Sequence, residues 1–475
     1  MAYNAQLFFA SLGGLHGIPS FWIDNTNKTV TSYLIATEMV KDNLQHKNYL
    51  PLNLVDDTEI EEQQKLGKAK LCCNNEEANK TEQKHQSSVW KTTLNLLNSM
   101  EGVGFLALPY TIHRGGISAV IGLFIVPFIS GYTASLLVEC LYEANEDGEK
   151  IRVRSSYHAI GHHCWAPLRT VISVLIAILL FSVVVSYVVL FSSLINHTFP
   201  GVPLTESQWA CIAIAIVLPT VFLEFLSKIA WLSLVGILAL SGSVGLSLAY
   251  EFQAVHKWEV NSLLFWDTQG TFIALNIIVF SYGLHTVIIP IEGEMADKTK
   301  LPVALVLSYC TGGFIKIVFA VAGFLTYTSA TNEVILNNLP SGIAAKITAA
   351  FFSVSVLVTY PIPVLILVKM FEESELYCKI TEKVHPKICL ASFRVVIVLS
   401  SLAFSVGLPH FALVAALAGC GGYIVMFIFP GLFHLVIKYK NLGWFHICID
   451  CFFMVLGVGG MSLGLVNVVK DLIMT

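Results

Sequence analysis

From Ser88 onward the chain alternates between long apolar runs and short polar connections. Crossing the hydrocarbon of a bilayer takes about 20 mainly apolar residues in a helix. Eleven stretches approach that length, near 90–112, 116–142, 168–196, 208–226, 229–251, 272–291, 302–328, 342–371, 390–408, 411–436 and 446–468. The runs are continuous and lack the alternation of barrel strands. Lipid cannot satisfy an open backbone, so helices are the spanning form that remains. The pattern therefore predicts an all-α integral membrane domain over 88–475, with eleven transmembrane helices. Residues 1–87 break the pattern. From Lys41 to Gln86 they are charged and amide-rich with no long apolar run, which predicts a disordered cytosolic tail. Leu7 to Trp22 is mildly apolar, but Gly13, Gly14, Gly17 and Pro19 interrupt it and no Lys or Arg precedes it, unlike a signal peptide.

Composition agrees. Hydrophobic residues make up 55% of the 475 and charged residues 13%, against about 25% charged in a soluble domain. A single soluble core stops growing near ~250–300 residues and cannot hide this much apolar sequence. A net charge of −4 offers no basic surface for nucleic acid. The 11 cysteines form no disulfide framework. His158, His162, His163 and Cys164 cluster, but adjacent histidines chelate poorly and no second half-site accompanies them, so no metal is expected.

The distribution of Lys and Arg gives the expected orientation. With the N-terminus in the cytosol, cytosolic connections carry fourteen basic residues, from Lys150, Arg152, Arg154 and Arg169 through to Lys438 and Lys440. The other face carries three: Arg114, Lys257 and Lys470. The C-terminus then lies in a lumen or outside, and Asn196-His197-Thr198 is a glycosylation sequon on that face, unless it sits too close to the bilayer to be modified.

Two of the spans carry chemistry. Segment one reads Asn95-Leu-Leu-Asn98-Ser-Met100-Glu101-Gly102-Val103-Gly104 before Pro109, which places two glycines and a carboxylate at mid-membrane depth. Glycine weakens a helix by about 0.8–1 kcal/mol relative to alanine, and an intramembrane carboxylate is costly and usually functional. Glycine alone would suit a close helix crossing; glycine with Glu101 points to a broken helix facing a cavity. Segment six has a matching interruption at Ser281-Tyr282-Gly283, followed by His285 and Glu292. Two breaks five segments apart are the signature of an inverted repeat of five helices with the substrate at the midplane. Broken helices offer N–H groups to a carboxylate and carbonyls to an ammonium, which suits a small zwitterion. Asn95, Asn98, Met100, Glu101, Gly102, Val103, Gly104, Ser281, Tyr282 and Gly283 are the expected substrate-binding residues.

Glu101, Glu292 and Lys316 are the candidates for proton coupling, because ionisable groups inside spans must pair or reach water. Lys316, midway in segment seven, is read first as a counter-charge to Glu101 or Glu292. Glu292 has an equal competing reading as a mere helix end, and His285 reads foremost as a satisfied core histidine. Tyr360-Pro361-Ile-Pro363 reads as a kink. No Gly-x-x-x-x-Gly-Lys nucleotide loop implies ATP-driven pumping, and no nucleophile–base pair or zinc helix implies an enzyme.

At these residues the chain resembles the amino acid/auxin permease family, and within it the vesicular branch that carries inhibitory amino acids. The likeness runs from about Ser88 through segment eleven. It rests on Gly104-Phe-Leu-Ala-Leu-Pro109-Tyr110, on Cys140 to Glu149 continuing to Tyr157, on Ser281-Tyr282, Pro290 to Gly293, Tyr360 to Pro363, Pro409 to Leu413 and Pro430 to Leu435. The acidic-then-basic stretch after segment two is the most specific of these. The resemblance implies a LeuT-like 5+5 inverted repeat with broken helices one and six, plus one extra C-terminal helix. It implies loading of GABA or glycine into synaptic-type vesicles by alternating access. The coupling ion is the proton, the gradient comes from a separate proton-pumping ATPase, and no cofactor is needed. By position, it places the unwound stretches at Met100 to Gly104 and Ser281 to Gly283. Glu101 stands where the family pattern leads one to expect glutamine, which opens a change in substrate charge preference or in proton coupling. The competing functions are a proton-coupled neutral amino-acid symporter of the plasma membrane or lysosome, and a non-transporting amino-acid receptor.

Overall fold

The computed structural model describes residues 87–145, 149–222, 226–408 and 410–474. The expected tail, 1–87, lies outside them apart from Ser87. Among the described residues nine helices are long and apolar enough to cross a membrane, and a shorter apolar one, α6 (Glu206–Thr220), accompanies them. Segment one appears as two pieces, α1 (Val89–Met100) and α2 (Leu108–Gly115). The end of the bundle where α1 begins is called here the near face, and the other end the far face.

Local chemistry sets the boundaries. Ser88 caps α1, its hydroxyl accepting from the Lys91 amide. Thr205 and Gln208 form a reciprocal capping box at α6. Between α2 and α3 (Ile117–Glu139) the chain reverses at Gly116, φ +58°. A Cβ there would stand 2.1 Å from the Leu264 carbonyl oxygen, so both the backbone angle and the contact require glycine. Segment four is shorter than the pattern suggested: α6 stops at Thr220, just after Pro219.

After α3 the near face carries an element that the apolar pattern did not announce. It is an antiparallel hairpin of β1 (Tyr142–Ala144) and β2 (Lys150–Arg152), with Tyr142 opposite Arg152. Then follow α4 (Tyr157–Cys164), α5 (Leu168–Thr198), α6 and α7 (Leu226–Gln253). Segment six is α8 (Thr268–Ser281) and α9 (His285–Gly293), and segment seven is α10 (Leu301–Tyr327). Segment eight is α11 (Ile343–Thr359) and α12 (Pro361–Glu372), kinked at the expected proline, with the Tyr360 hydroxyl 2.8 Å from that of Ser401. The short α13 (Glu375–Thr381) leads to α14 (Pro386–Gly407). Segment ten is α15 (Phe411–Tyr423) and α16 (Phe429–Lys438), joined by a π turn over Ile424–Ile428. Tyr157 of α4 donates to the Val425 carbonyl in that turn at 2.7 Å, so the widened turn gains an outside partner. The C-terminal helix is α17 (Trp444–Met474).

Burial sorts inner helices from outer ones. The α15–α16 segment is 78% buried and the α8–α9 segment 67%, against 22% for α17 and 28% for α14. Segments ten and six therefore lie in the interior, while α14 and α17 present apolar side chains outward, as lipid-facing helices do. Close approach within this interior needs missing side chains. A Cβ on Gly419 would lie 2.0 Å from the Asn276 carbonyl oxygen, and one on Gly464 2.4 Å from the Asn276 side chain.

Candidate substrate site

Both expected breaks are present. Helix α1 ends at Met100; Glu101 (φ −79°, ψ 51°) and Gly102 (φ −83°, ψ −173°) leave helical geometry. A tight 3-10 turn over Val103–Ala107 leads into α2, with Pro109 in its first turn. In segment six, Tyr282 (φ −105°, ψ 15°), Gly283 and Leu284 separate α8 from α9. The breaks meet at Gly104, where a Cβ would come 2.9 Å from the Phe280 ring and 3.3 Å from the Ser281 Cα. A side chain at 104 would push the two interruptions apart.

A helix that ends inside an apolar bundle leaves carbonyls without intrahelical partners. Lys316 supplies the donor for both. From the middle of α10, fully buried, its ammonium donates to the Met100 carbonyl at 2.9 Å and to the Ser281 carbonyl. It also lies 4.4 Å from the centroid of the Tyr282 ring. One cation thus closes the last turns of α1 and α8 together. The negative ends of two helix dipoles are a favourable place for a positive charge. Gly312 and Gly313, one turn before it, bring α10 close: a Cβ at 312 would sit 2.7 Å from Met100 Sδ and 3.6 Å from Glu101 Oε1. Glu101 and Lys316 lie within electrostatic reach of one another.

Beside the breaks is a cavity of about 310 Å³. Asn98, Glu101 and Gly102 line it from segment one, Tyr187 from α5, and Ser355 and Thr359 from α11. Apolar walls come from α7, from Val287 of α9 and from α12. Next to Gly102 the space is open for 4 Å around a would-be Cβ. Glu101 Oε1 has no hydrogen-bond partner among the described residues. The lining runs from the breaks toward the near face, along Val287, Pro363 and Ile366.

Toward the far face the same helices are tied together. Arg114 of α2 makes two 3.0 Å contacts with the Asp471 carboxylate of α17, which also accepts from Gln269 at 3.0 Å. Glu333, in the connection after α10, accepts from the Ala412 amide at the start of α15 at 3.0 Å, and His410 lies 3.6 Å away.

The remaining expected residues fall around the cavity rather than on its wall. Met100 and Ser281 contribute their carbonyls to Lys316, and the Ser281 hydroxyl turns back to Ile278. Tyr282 is fully buried, Gly283 and the backbone of Val103 belong to the breaks, and Asn95 lies more than a turn before the first. His285 meets the Thr133 hydroxyl at 3.0 Å in the core. Asn196 sits in the last turn of α5. Glu292 is not a partner of Lys316. It is fully buried at the near-face end of α9, 2.9 Å from Arg152 and 4.0 Å from Lys298, and accepts from the Tyr142 hydroxyl. Burial and that acceptor push the Tyr142 phenol well above its ordinary range, which keeps it a donor. Sequence reasoning missed the cavity walls contributed by α5, α7 and α11, where an isolated Tyr187, Ser355 or Thr359 has no signature. Only the Tyr360–Pro363 kink hinted at segment eight.

A pocket at two helix interruptions, with a carboxylate and hydroxyls set among apolar walls inside a bundle otherwise built for lipid, is the anatomy of a carrier of small polar solutes. Residues 85–470 match the transmembrane amino acid transporter protein family. The chain belongs to that family. Within it, the chain is 32% identical to the vesicular inhibitory amino acid transporter of Rattus norvegicus over 393 residues, covering 79% of this chain and 74% of the relative. It is 32% identical to the transporter of that name from Xenopus tropicalis over 410 residues, 82% and 78% of the two chains. It is 26% identical to the vesicular GABA transporter of Caenorhabditis elegans over 384 residues, 78% and 77%. This amino acid transporter family comprises carriers rather than enzymes, and the match spans both breaks and the lysine between them.

Proposed function

We propose that the protein is a secondary active transporter that loads a small neutral amino acid, of the GABA or glycine type, into acidic vesicles in exchange for protons. The reading carries with it eleven spans in a LeuT-like 5+5 arrangement plus α17, the N-terminus and near face in the cytosol, and the C-terminus in the lumen. The gradient comes from a separate proton-pumping ATPase. The observation that carries it is the pairing of two interrupted segments, five apart, at a cavity lined by Glu101 and Gly102. The cavity walls extending toward the near face support a cytosol-open state.

The substrate carboxylate is held by backbone N–H groups where the chain resumes helical form after Gly102. The Met100 and Ser281 carbonyls are poor partners for its ammonium, because both already accept from the Lys316 cation, which repels a second positive charge. Glu101 is the carboxylate on the cavity wall and the acceptor best matched to a cation. A bundle containing both broken segments rocks to expose the site to the lumen. There a proton adds to the Glu101 carboxylate, its charge is cancelled, and the ammonium is released. The protonated carrier returns and the proton leaves to the cytosol. Each charge moved is worth about 2.3 kcal/mol per 100 mV, so an inside-positive vesicle potential adds to the pH gradient.

The test is uptake of labelled GABA and glycine into proteoliposomes with an imposed acid interior or inside-positive potential. Accumulation under either force is expected, and uptake indifferent to both would exclude exchange. Glu101→Gln is expected to flatten the pH dependence.

A further inference from the structure

Away from the cavity, one carboxylate is buried with no cation opposite it among the described residues. Glu251 lies one turn from the far-face end of α7 and is fully buried. Its Oε1 accepts from Ser247 of the same helix at 3.0 Å, and its Oε2 has no hydrogen-bond partner among the described residues. It makes no ion pair among those residues. Across the seam with α10 it faces Tyr327, whose hydroxyl is also buried without a hydrogen-bond partner among them and whose ring stacks on Tyr250 at 6.4 Å and 13°. Trp258 Nε1 fastens this seam by reaching both the Glu251 carbonyl at 3.3 Å and the Thr326 hydroxyl at 3.0 Å. The charged groups of the adjoining elements are turned elsewhere. His256, Lys257 and Glu259, on the chain after α7, are exposed, and Lys346 of α11 lies over the Phe199 ring at 5.9 Å.

A carboxylate in such a place is buried from solvent with no counter-ion among the described residues, and low dielectric favours its neutral form. The closed seam therefore accommodates Glu251 as an acid and disfavours it as an anion. We propose that Glu251 is a proton-binding residue of the far-face seal, and that the α7–α10 seam closes only when its carboxylate has taken a proton from the compartment on that face. The O–H bond forms as the seam shuts, and the proton returns to the same compartment when the seam next opens. This proton is not carried across and is separate from the one assigned to Glu101. The inference rests on the vesicular cycle proposed above: an acid lumen shuts the discharged carrier and sends it back toward the cytosol.

Two measurements on the full-length, reconstituted protein test it. Infrared difference spectra of wild type against Glu251→Gln at neutral pH should contain a protonated-carboxyl C=O band assigned to Glu251. Carboxylate bands in its place would overturn the proposal. This arm needs no transport, so it still decides if proton-driven uptake fails. In the second, exchange is followed with cytosolic pH held neutral and lumenal pH stepped from neutral to acid. Wild type should speed up several-fold, Glu251→Gln should be faster at neutral lumenal pH and keep only the smaller response that Glu101 supplies, and Glu251→Asp should keep the full pH response. A Gln variant with the full wild-type response would overturn the proposal, as would a flat response in the Asp variant.

Discussion

Lys316 is the residue on which the central geometry turns. Its ammonium satisfies two helix ends that would otherwise keep bare carbonyls, and it offsets Glu101 across the Gly312 gap. Removing one partner of a buried charged pair costs about 3–5 kcal/mol, because the other is left uncompensated. Lys316→Met is therefore expected to lower the midpoint of thermal unfolding in detergent and to abolish uptake. Combining it with Glu101→Gln should recover part of the lost stability, as expected for residues that share one interaction. Equal and additive losses would show that the two do not act together. Arg is no substitute, since its planar fork cannot converge on two helix ends as a compact ammonium does. At the near face a simpler pair works: Arg154 holds the Glu143 carboxyl below the usual carboxylate range through a hydrogen bond. A folded value below the unfolded one stabilises the hairpin above the unfolded value, and the effect is lost as pH falls through the lowered one. Arg154→Gln should abolish that acid-side change when Glu143 is titrated by nuclear magnetic resonance.

At the scale of elements, the interruptions were legible because glycine and a carboxylate together are poorly suited to the middle of a straight, lipid-facing helix. The break in segment eight was legible at Pro361, because proline cannot continue a helix through its preceding turn. The partner of the breaks was not. The sequence presents Lys316 as a charge in search of a charge, while its hydrogen bonds go to main-chain carbonyls, which every residue has and none advertises. The hairpin over 142–152 escaped for want of a hydrophobic period: its residues are held by Glu292 and Lys438 rather than by burial. Three-helix contacts were equally silent. Gly419, Gly464 and Asn276 lie far apart in the chain, and nothing local says that they touch. Overpacking a tight interior costs about 1–3 kcal/mol. Gly419→Val is expected to lose at least that much stability and, by displacing α8, to weaken uptake as well. Stability unchanged in a thermal scan would mean that α8 and α15 are not so closely packed.

For the whole molecule, the cavity and the ties around it define a state. Its walls lead along α9 and α12 to the near face, while Arg114, Asp471, Gln269, Glu333 and the Glu251 seam hold the far one. In a background stripped of its native cysteines, Thr359→Cys should react with a membrane-impermeant thiol reagent added from the cytosolic side, and substrate should slow that reaction. Tyr327→Cys should be shielded until the carrier turns over. Labelling of both positions from both sides would contradict a two-state carrier.

The ammonium that joins α1 to α8 is attached to the protein by its own side chain. A tethered ion cannot exchange with either bath, so it stores nothing from an ion gradient and does no work by moving downhill. In the proton exchange proposed above, the mobile charges that drive the cycle are the proton and whatever net charge the substrate brings. Swapping sodium, potassium or choline in the medium should therefore leave the rate where it was.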